Sequence, residues 1–476
     1  MLHSSKMLGL GLSCWLAATG VAWALPPGPP KAPSALGAGV PAMGLPSTSR
    51  KLPAGPSGNA VRAARATPVH RVVLANGLRV LLAESPEEDI AALELLVQTG
   101  ALEEQAQVAG ITRVVVQLLN QRISTTPEGD DRIEAVGAVL RTTQELDYSR
   151  VGLQSRAVDF PHLLQVLATS LEKPLTQEEL NKARKKVLDS FNEPQGALGQ
   201  LYDIFRQSFY RYHPYRSSQR GSELAIERLD VKTVQGYLDN YFVPNRMILA
   251  VAGRFDTIEC ESIIKKSYSK LKAHEQKEVE VGWEPKSVER EVNLSGGNEM
   301  GWLFVGYPAP SVASRDYATM KLITSMLGEG LSSRLFTEIR EKRSLAYELG
   351  SMYPVLRGPS HFLTYTITKP EQVPQAKRQF LKEIERLKKE GVGQRELDES
   401  RRKVIGNYLL ERETNQGKAF HLALAESAGV GFEFEQAFMK EVETVSPAEV
   451  QEVAKRYLDN CTLITARPSG RFYWDY

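Results

Sequence analysis

Two stretches of the chain echo one another. Residues 226–251 read IERLDVKTVQGYLDNYFVPNRMILAV and residues 442–467 read VETVSPAEVQEVAKRYLDNCTLITAR. Leu229, Val234, Tyr237, Tyr241 and Ile248 match Val445, Val450, Val453, Tyr457 and Ile464, and every pair is separated by 216 positions (450 − 234 = 216). In each copy an apolar stripe at helical spacing runs into a stretch of strand character. A helix and a strand that close each half at one common spacing imply a duplicated unit, so what the first half builds the second builds again. The chain has 476 residues, so each half is long enough to bury a core of its own.

Further elements can be read along the way. Arg71–Ala83 is RVVLANGLRVLLA, and Asn76-Gly77 between apolar runs predicts a hairpin closed by a type I′ turn, because both residues tolerate positive φ. AALELLVQTG, ending at Gly100, predicts a second strand, and the polar–apolar alternation over Thr142–Gln154 predicts more. The second half opens on a similar strand, MGWLFVGYPAP, at 300–310. Helices and antiparallel hairpins without regular βαβ alternation predict an α+β fold in two homologous domains, each a largely antiparallel sheet packed with helices. The boundary is expected at 274–293, a charged stretch with Pro285 and no apolar stripe, which leaves domains at 69–273 and 294–476.

The N-terminus differs from the rest. Lys6, the apolar run Met7–Ala24 and the A-x-A site Ala22-Trp23-Ala24 have the layout of a cleaved signal peptide over residues 1–24, implying export to the periplasm. A retained membrane anchor and an organelle-targeting leader are the alternatives. Residues 25–68 are rich in Pro, Gly, Ala and Ser, with no acid before Glu84, and read as a disordered linker. No later stretch is long and apolar enough to span a bilayer. A net charge of +2 implies no nucleic-acid or anionic-membrane partner. Behind the leader stand two cysteines, Cys260 and Cys461, which form neither a CxxC site nor a disulfide framework and leave a single bridge open.

The segments NGLRVLL, HPYRSSQRGSELAIERL, YFVPNRMILAVAG, GYPAP and LGEGLSSRLFTEIREKRSLAYELGS follow in order across roughly 68–470. Together they resemble the pitrilysin/insulinase-type (M16) zinc peptidases, in particular the short two-domain members that include the mitochondrial processing peptidase subunits and their bacterial relatives. The resemblance implies two domains of the LuxS/M16 metalloenzyme fold. Such peptidases hold zinc with an inverted HxxEH motif. Two histidines four residues apart share one helix face, the glutamate between them polarises water, and a third carboxylate comes from a later helix.

The matching helix here is GITRVVVQLLN, 110–120, with Arg113 and Gln117 at the histidine positions and Val116 at the glutamate position. A guanidinium stays protonated and cannot ligate zinc, and valine cannot accept a proton. The third ligand position falls in ARKKVLDS at Ser190, with Asp189 adjacent. The seven histidines, at 3, 70, 162, 213, 274, 361 and 421, include no two within a turn or two of helix. A helix-borne site is therefore absent, and a metal site assembled from distant histidines is the alternative left open. His213 in YHPYR matches a structural position of the family. No zinc is expected in this chain. Val114, Val115, Leu118 and Leu119 give the helix an apolar side, which is reason enough for it to fold.

The second half differs. LFTEIREKRSLAY, Leu335–Tyr347, carries Arg340 and Tyr347, the pair with which relatives hold the scissile peptide. Seven residues is about two helical turns, so the two side chains can share one face or its extension. The arginine would donate to a peptide carbonyl and the phenol to the oxyanion that forms when water attacks. On composition alone EIREKR is a solvated charge run and Tyr347 the start of a strand. Gly328 and Gly330 mark a turn between helices and are substrate-loop candidates. The resemblance thus implies a non-catalytic, substrate-binding subunit, inactive by itself. Its partner would be a zinc-bearing HxxEH homologue, and the two would close like a clamshell on unfolded peptide. The alternative is a non-enzymatic scaffold of the same fold, like the core subunits of respiratory complexes.

Overall fold

The computed structural model describes residues 68–125, 132–193, 195–274, 289–295 and 299–468. The leader, the Pro-rich stretch as far as residue 67 and linker positions 275–288 lie outside the described residues. The first sheet contains β1 (His70–Val73), β2 (Arg79–Glu84), β3 (Ile90–Val97), β4 (Val139–Gln144), β5 (Ser149–Arg156) and β6 (Met247–Gly253), in the order β1-β2-β6-β3-β5-β4. The second contains β7 (Arg290–Ser295), β8 (Gly301–Ala309), β9 (Glu348–Met352), β10 (Ser360–Thr368) and β11 (Thr462–Arg467), in the order β7-β11-β8-β10-β9. Each sheet has one parallel pair, β2 with β6 and β7 with β11, and is otherwise antiparallel. With β1 set aside, the two orders correspond strand for strand. β7 opens at Arg290, inside the stretch read as linker.

Helices α1 (Ile111–Ser124) and the short α2 (Arg132–Ala135) follow β3. Between β5 and β6 come α3 (Phe160–Glu172), α4 (Gln177–Asp189), α5 (Ala197–Phe209), the short α6 (Glu223–Glu227) and α7 (Val231–Tyr241), with α8 (Thr257–Tyr268) after β6. The second half has α9 (Tyr317–Gly328), α10 (Val373–Glu390), α11 (Gln394–Leu410), α12 (Asn415–Ser427), α13 (Phe434–Thr444) and α14 (Pro447–Tyr457). α7 and α14 begin and end 216 residues apart (447 − 231 and 457 − 241). A short polar side chain starts each: Asp230 accepts from the Thr233 N–H, and Ser446 from the Glu449 N–H in a reciprocal capping box.

The Asn76-Gly77 hairpin forms, but its turn is not type I′. The loop runs from Leu74 to Leu78; the Leu74 N–H donates to the Leu78 carbonyl and the Gly77 N–H to the Leu74 carbonyl, both at 2.9 Å. Gly77 takes φ +87° while Asn76 keeps an ordinary φ. The Asn76 amide instead donates to the carbonyls of Tyr268 (2.8 Å) and Leu271 (3.1 Å) at the end of α8. This tertiary contact selects the longer loop over the locally preferred one.

Each half closes a core of its own, and the halves also exchange a helix. α5, from the first half, packs on β8 and β11 of the second sheet, while α12, from the second half, packs on β3 and β6 of the first. The two helices start 218 residues apart (415 − 197), so they are counterparts that have exchanged sheets. α5 brings Leu201, Tyr202, Phe205 and Phe209 into one buried cluster with Phe304, Leu363 and Ile464. Burying one such side chain stabilises by roughly 1.5–3 kcal/mol. Gly306 makes the approach feasible, because a Cβ there would lie 2.1 Å from the Phe205 ring. His361 on β10 is fully buried between the Tyr202 and Tyr210 hydroxyls, each 2.8 Å away, and burial pushes its imidazole down to about 3. The α12 contact is more polar. Ala419, Phe420 and Ala423 meet Leu81, Leu96, Ile248 and Ala250, and Gln416 donates to Glu94 (2.6 Å), which pairs with Arg150 (2.6 Å).

Among the described residues no helix is long and apolar enough to cross a membrane. Cys260 and Cys461 are both buried and unbridged.

Candidate functional site

Helix α1 starts on a carboxylate. Glu104 accepts the N–H groups of Gly110 (2.6 Å) and Thr112 (3.0 Å), a role usually filled by an N-cap side chain. Burial raises the Glu104 carboxyl above its ordinary value. Val114, Val115, Leu118 and Leu119 are buried in the first core. The remaining stripe, Arg113, Gln117 and Asn120, is half-buried, and Asn120 donates to Thr142 of β4 at 3.1 Å. The stripe therefore runs beside β4.

The structure brings two of the degenerate positions together. Arg113 donates to the Ser190 hydroxyl (2.8 Å) and to the Arg220 carbonyl (3.2 Å). Ser190 caps the C-terminus of α4. Arg220 in turn donates to the carbonyls of Ser190 (2.9 Å) and Glu193 (3.3 Å). The Phe191 ring meets both cations, with its centroid 5.5 Å from the Arg113 guanidinium and 4.6 Å from that of Arg220. Val116 is buried, and Gln117 lies one turn further along α1. Burial and the neighbouring Arg220 pull the Arg113 guanidinium below its usual value, yet an arginine remains protonated. Zinc needs imidazole, thiolate or carboxylate donors. Arg, Val, Gln and Ser supply none, and the guanidinium would repel the ion. The residues do not fit the metal. Among the described residues no three His, Cys, Asp or Glu side chains gather elsewhere either. His213 uses Nδ1 to accept the Tyr215 N–H (3.2 Å) and caps the turn Pro214–Arg216.

The second half-site lies at an element boundary. Phe336–Glu341 forms one wide π-helical turn, closed by the Leu345 N–H on the Ile339 carbonyl (2.8 Å) and the Ser344 N–H on the Arg340 carbonyl (3.1 Å). Ser344 then turns the chain at φ +51°, a conformation a helix cannot propagate. The Tyr347 N–H pairs with the Ile367 carbonyl (2.8 Å), and β9 begins at the next residue. The seven-residue spacing is therefore not two helical turns; one side chain ends the helical turn and the other leads into a strand.

Within the charge run, Glu338 engages Lys342 (2.6 Å) and Arg343 (2.7 Å), and these bonds hold its carboxyl low. Arg340 stays outside that network. Its guanidinium lies over the Phe336 ring (5.1 Å) and is exposed, and it meets no carboxylate among the described residues. Tyr347 is 53% exposed. Gly328 is the last residue of α9 rather than part of the following turn, and a Cβ there would meet Ser351 of β9 at 2.8 Å. Gly330 takes φ +71°, which favours glycine.

β4 and β9 are corresponding strands, and each is outermost in its sheet among the described residues. Among the described residues no strand pairs on the outer side of either. One borders α1 and the other begins beside Tyr347. Sequence reasoning missed these edges, and it missed Arg220, which lies inside HPYRSSQRGSELAIERL, where no spacing rule links it to Arg113.

Residues 79–219 match the family model for insulinase (peptidase family M16), and residues 228–404 match the model for the peptidase M16 inactive domain. The chain belongs to the M16 peptidase family. The zinc protease PqqE of Helicobacter pylori is 24% identical over 359 residues, which cover 73% of this M16 chain and 81% of its own. The uncharacterized zinc protease YmxG of Bacillus subtilis is 21% identical over 355 residues, 74% of this chain and 86% of its own. A solved structure of a protease from Helicobacter pylori superimposes with a TM-score of 0.77 at 21% identity, covering 84% of this chain and all (100%) of that one. A peptidase M16 inactive domain from Pseudomonas fluorescens gives 0.75 at 19% identity, covering 84% and 98%. At such identities the structural likeness establishes the two-domain α+β fold. The inactive-domain family match points to a member of the M16 family that is not catalytic by itself.

Proposed function

We propose that this M16 chain is the substrate-gripping subunit of a two-chain zinc peptidase. The partner, an HxxEH homologue, supplies the metal and the water-activating glutamate. This chain supplies Arg340 to a carbonyl of the peptide and the Tyr347 hydroxyl to the oxyanion of the tetrahedral intermediate. The observation that carries this reading is an asymmetry. A guanidinium stands at the first histidine position, bonded to the third-ligand position, whereas Arg340 and Tyr347 are exposed and engaged by no carboxylate among the described residues. An extended peptide can pair with an open edge strand through its backbone, which tolerates many sequences. The relatives' names as zinc proteases support peptide hydrolysis as the reaction of the pair. The leader's layout supports the periplasm as the compartment, and N-terminal sequencing of the exported protein, expected to begin at Leu25, checks that.

Co-expression with a zinc-bearing homologue tests the proposal. Hydrolysis should require both chains, fail with either alone, and fall when Arg340 or Tyr347 is replaced. A partner fully active without this chain would instead make the chain a scaffold.

A further inference from the structure

What α1 and α4 present in place of metal ligands carries net charge. Arg113 and Arg220 are neighbours, both half-buried, and among the described residues their side-chain donors meet only the Ser190 hydroxyl and the carbonyls of Ser190, Glu193 and Arg220. Neither forms an ion pair with a carboxylate among the described residues; the exposed Glu193 side chain attracts the Arg113 guanidinium from beyond that range. The most deeply shielded arginines of this chain include Arg122, paired with Glu179 (3.1 Å), Arg150 with Glu94 (2.6 Å), Arg246 with Glu103 (2.6 Å) and Arg334 with Glu396 (2.6 Å), whereas the half-buried Arg184 and Arg290 are also held by neutral oxygens, but singly and not side by side. Arg113 also lies in the first turn of α1, where the helix dipole disfavours a cation. Two adjacent guanidiniums held by neutral oxygens and one aromatic ring leave a desolvation cost that an anion would offset.

We propose that Arg113 and Arg220 form a carboxylate-binding site for an acidic peptide, the site standing where an active relative holds its metal. A guanidinium offers five donors in a planar fork matched to a carboxylate, and the bonds named above occupy only part of each fork. The site lies on the stripe that borders β4 through Asn120 and Thr142, so a peptide lying along that edge passes it. The carboxylate is either the peptide's own C-terminus or an Asp or Glu side chain. The inference rests on the reading that peptide enters beside α1, and it requires neither a partner nor hydrolysis.

Fluorescence anisotropy with the full exported chain tests it, using one labelled peptide in four forms: internal Glu or Gln, each with a free or amidated C-terminus. At least one carboxylate-bearing form should bind about 10-fold or more tighter than the neutral amide, and the form that does so identifies the source. The preference should shrink as salt is raised. Arg113→Gln and Arg220→Gln, checked by thermal melts for folding, should each bring binding close to that of the neutral peptide, whereas Arg220→Lys should keep part of the preference. Equal affinity for all four forms, a preference that survives the double Gln variant, or no binding of any form overturns the site. The outcome separates from the paired-peptidase reading, because Arg340→Ala should leave the carboxylate preference intact while removing activity in the two-chain assay.

Discussion

Helix α1 and the segment Leu335–Tyr347 answer to different physics. α1 is held by its back: Val114, Val115, Leu118 and Leu119 are buried, and its front carries a cation where a metal site would need a ligand. Leu335–Tyr347 is held by its backbone turns and by Ile339 and Leu345, while the Arg340 and Tyr347 side chains are exposed, Arg340 over the Phe336 ring. The first region gives stability without the chemistry of its family, and the second carries a chemically apt pair that contributes little to folding. A helix of this fold can therefore stay packed whatever its half-buried stripe carries, because the stripe and the packing side are different faces.

The largest effect that would break this comparison is catalytic. In the reconstituted pair, Tyr347→Phe should lower kcat/KM by roughly 100- to 1,000-fold, the usual loss for one oxyanion donor, and Arg340→Ala should lower it by removing a bond to the peptide carbonyl. Arg113→Ala should stay near wild type on a neutral peptide. A similar loss at both places would show that the two regions are not functionally distinct.

Next comes stability. Leu119→Ala should cost about 2–5 kcal/mol in denaturant unfolding, because it opens a cavity behind α1. Arg340→Ala should fall within about 0.5 kcal/mol of wild type. The reverse ranking would overturn the assignment of roles.

The junction between the halves gives a third, pH-dependent effect. The buried His361 imidazole titrates at about 3 in the folded chain, against an ordinary value of 6.5. Below pH 6.5 the unfolded chain takes up a proton that the folded chain refuses, so stability is lost as pH falls from 6.5 towards 3. The slope from this group is about 1.4 kcal/mol per pH unit. Acid should loosen the α5 contact with the second sheet, and His361→Phe should flatten the slope; an unchanged slope would reject the assignment.

The smallest effect sharpens the second region. Ser344 takes φ +51° between Arg340 and Tyr347, so Ser344→Gly should stabilise by roughly 0.5–1 kcal/mol, readable as a higher midpoint of chemical unfolding. Destabilisation would mean that the serine hydroxyl holds the turn.

The duplication was legible because α7 and α14, with the strands after them, repeat at one spacing, and hydrophobic periodicity reports that directly. The packing side of α1 was legible for the same reason. Other features were not. An apolar stripe states that a helix must be covered but not by which sheet, so the exchange of α5 and α12 left no local mark. Arg220 reaches Ser190 across the fold, and adjacency of that kind is tertiary. The type I′ turn at Asn76-Gly77 failed because Asn76 had a better use for its amide at the end of α8. The helical reading of Arg340 to Tyr347 failed because Ser344 turns the chain, and a lone serine at positive φ has no signature in sequence.

The exchanged helices set a schedule for synthesis. Once β6 is complete at Gly253, the ribosome must still make 174 residues (427 − 253) before α12 is finished. At ordinary translation rates that takes about 10–35 seconds. For that interval the nascent first sheet shows Leu81, Leu96, Ile248 and Ala250 to water, a greasy face that a chaperone would recognise. Cutting the gene between the halves should therefore yield two fragments that cling or precipitate, and mixing them should restore what neither has alone.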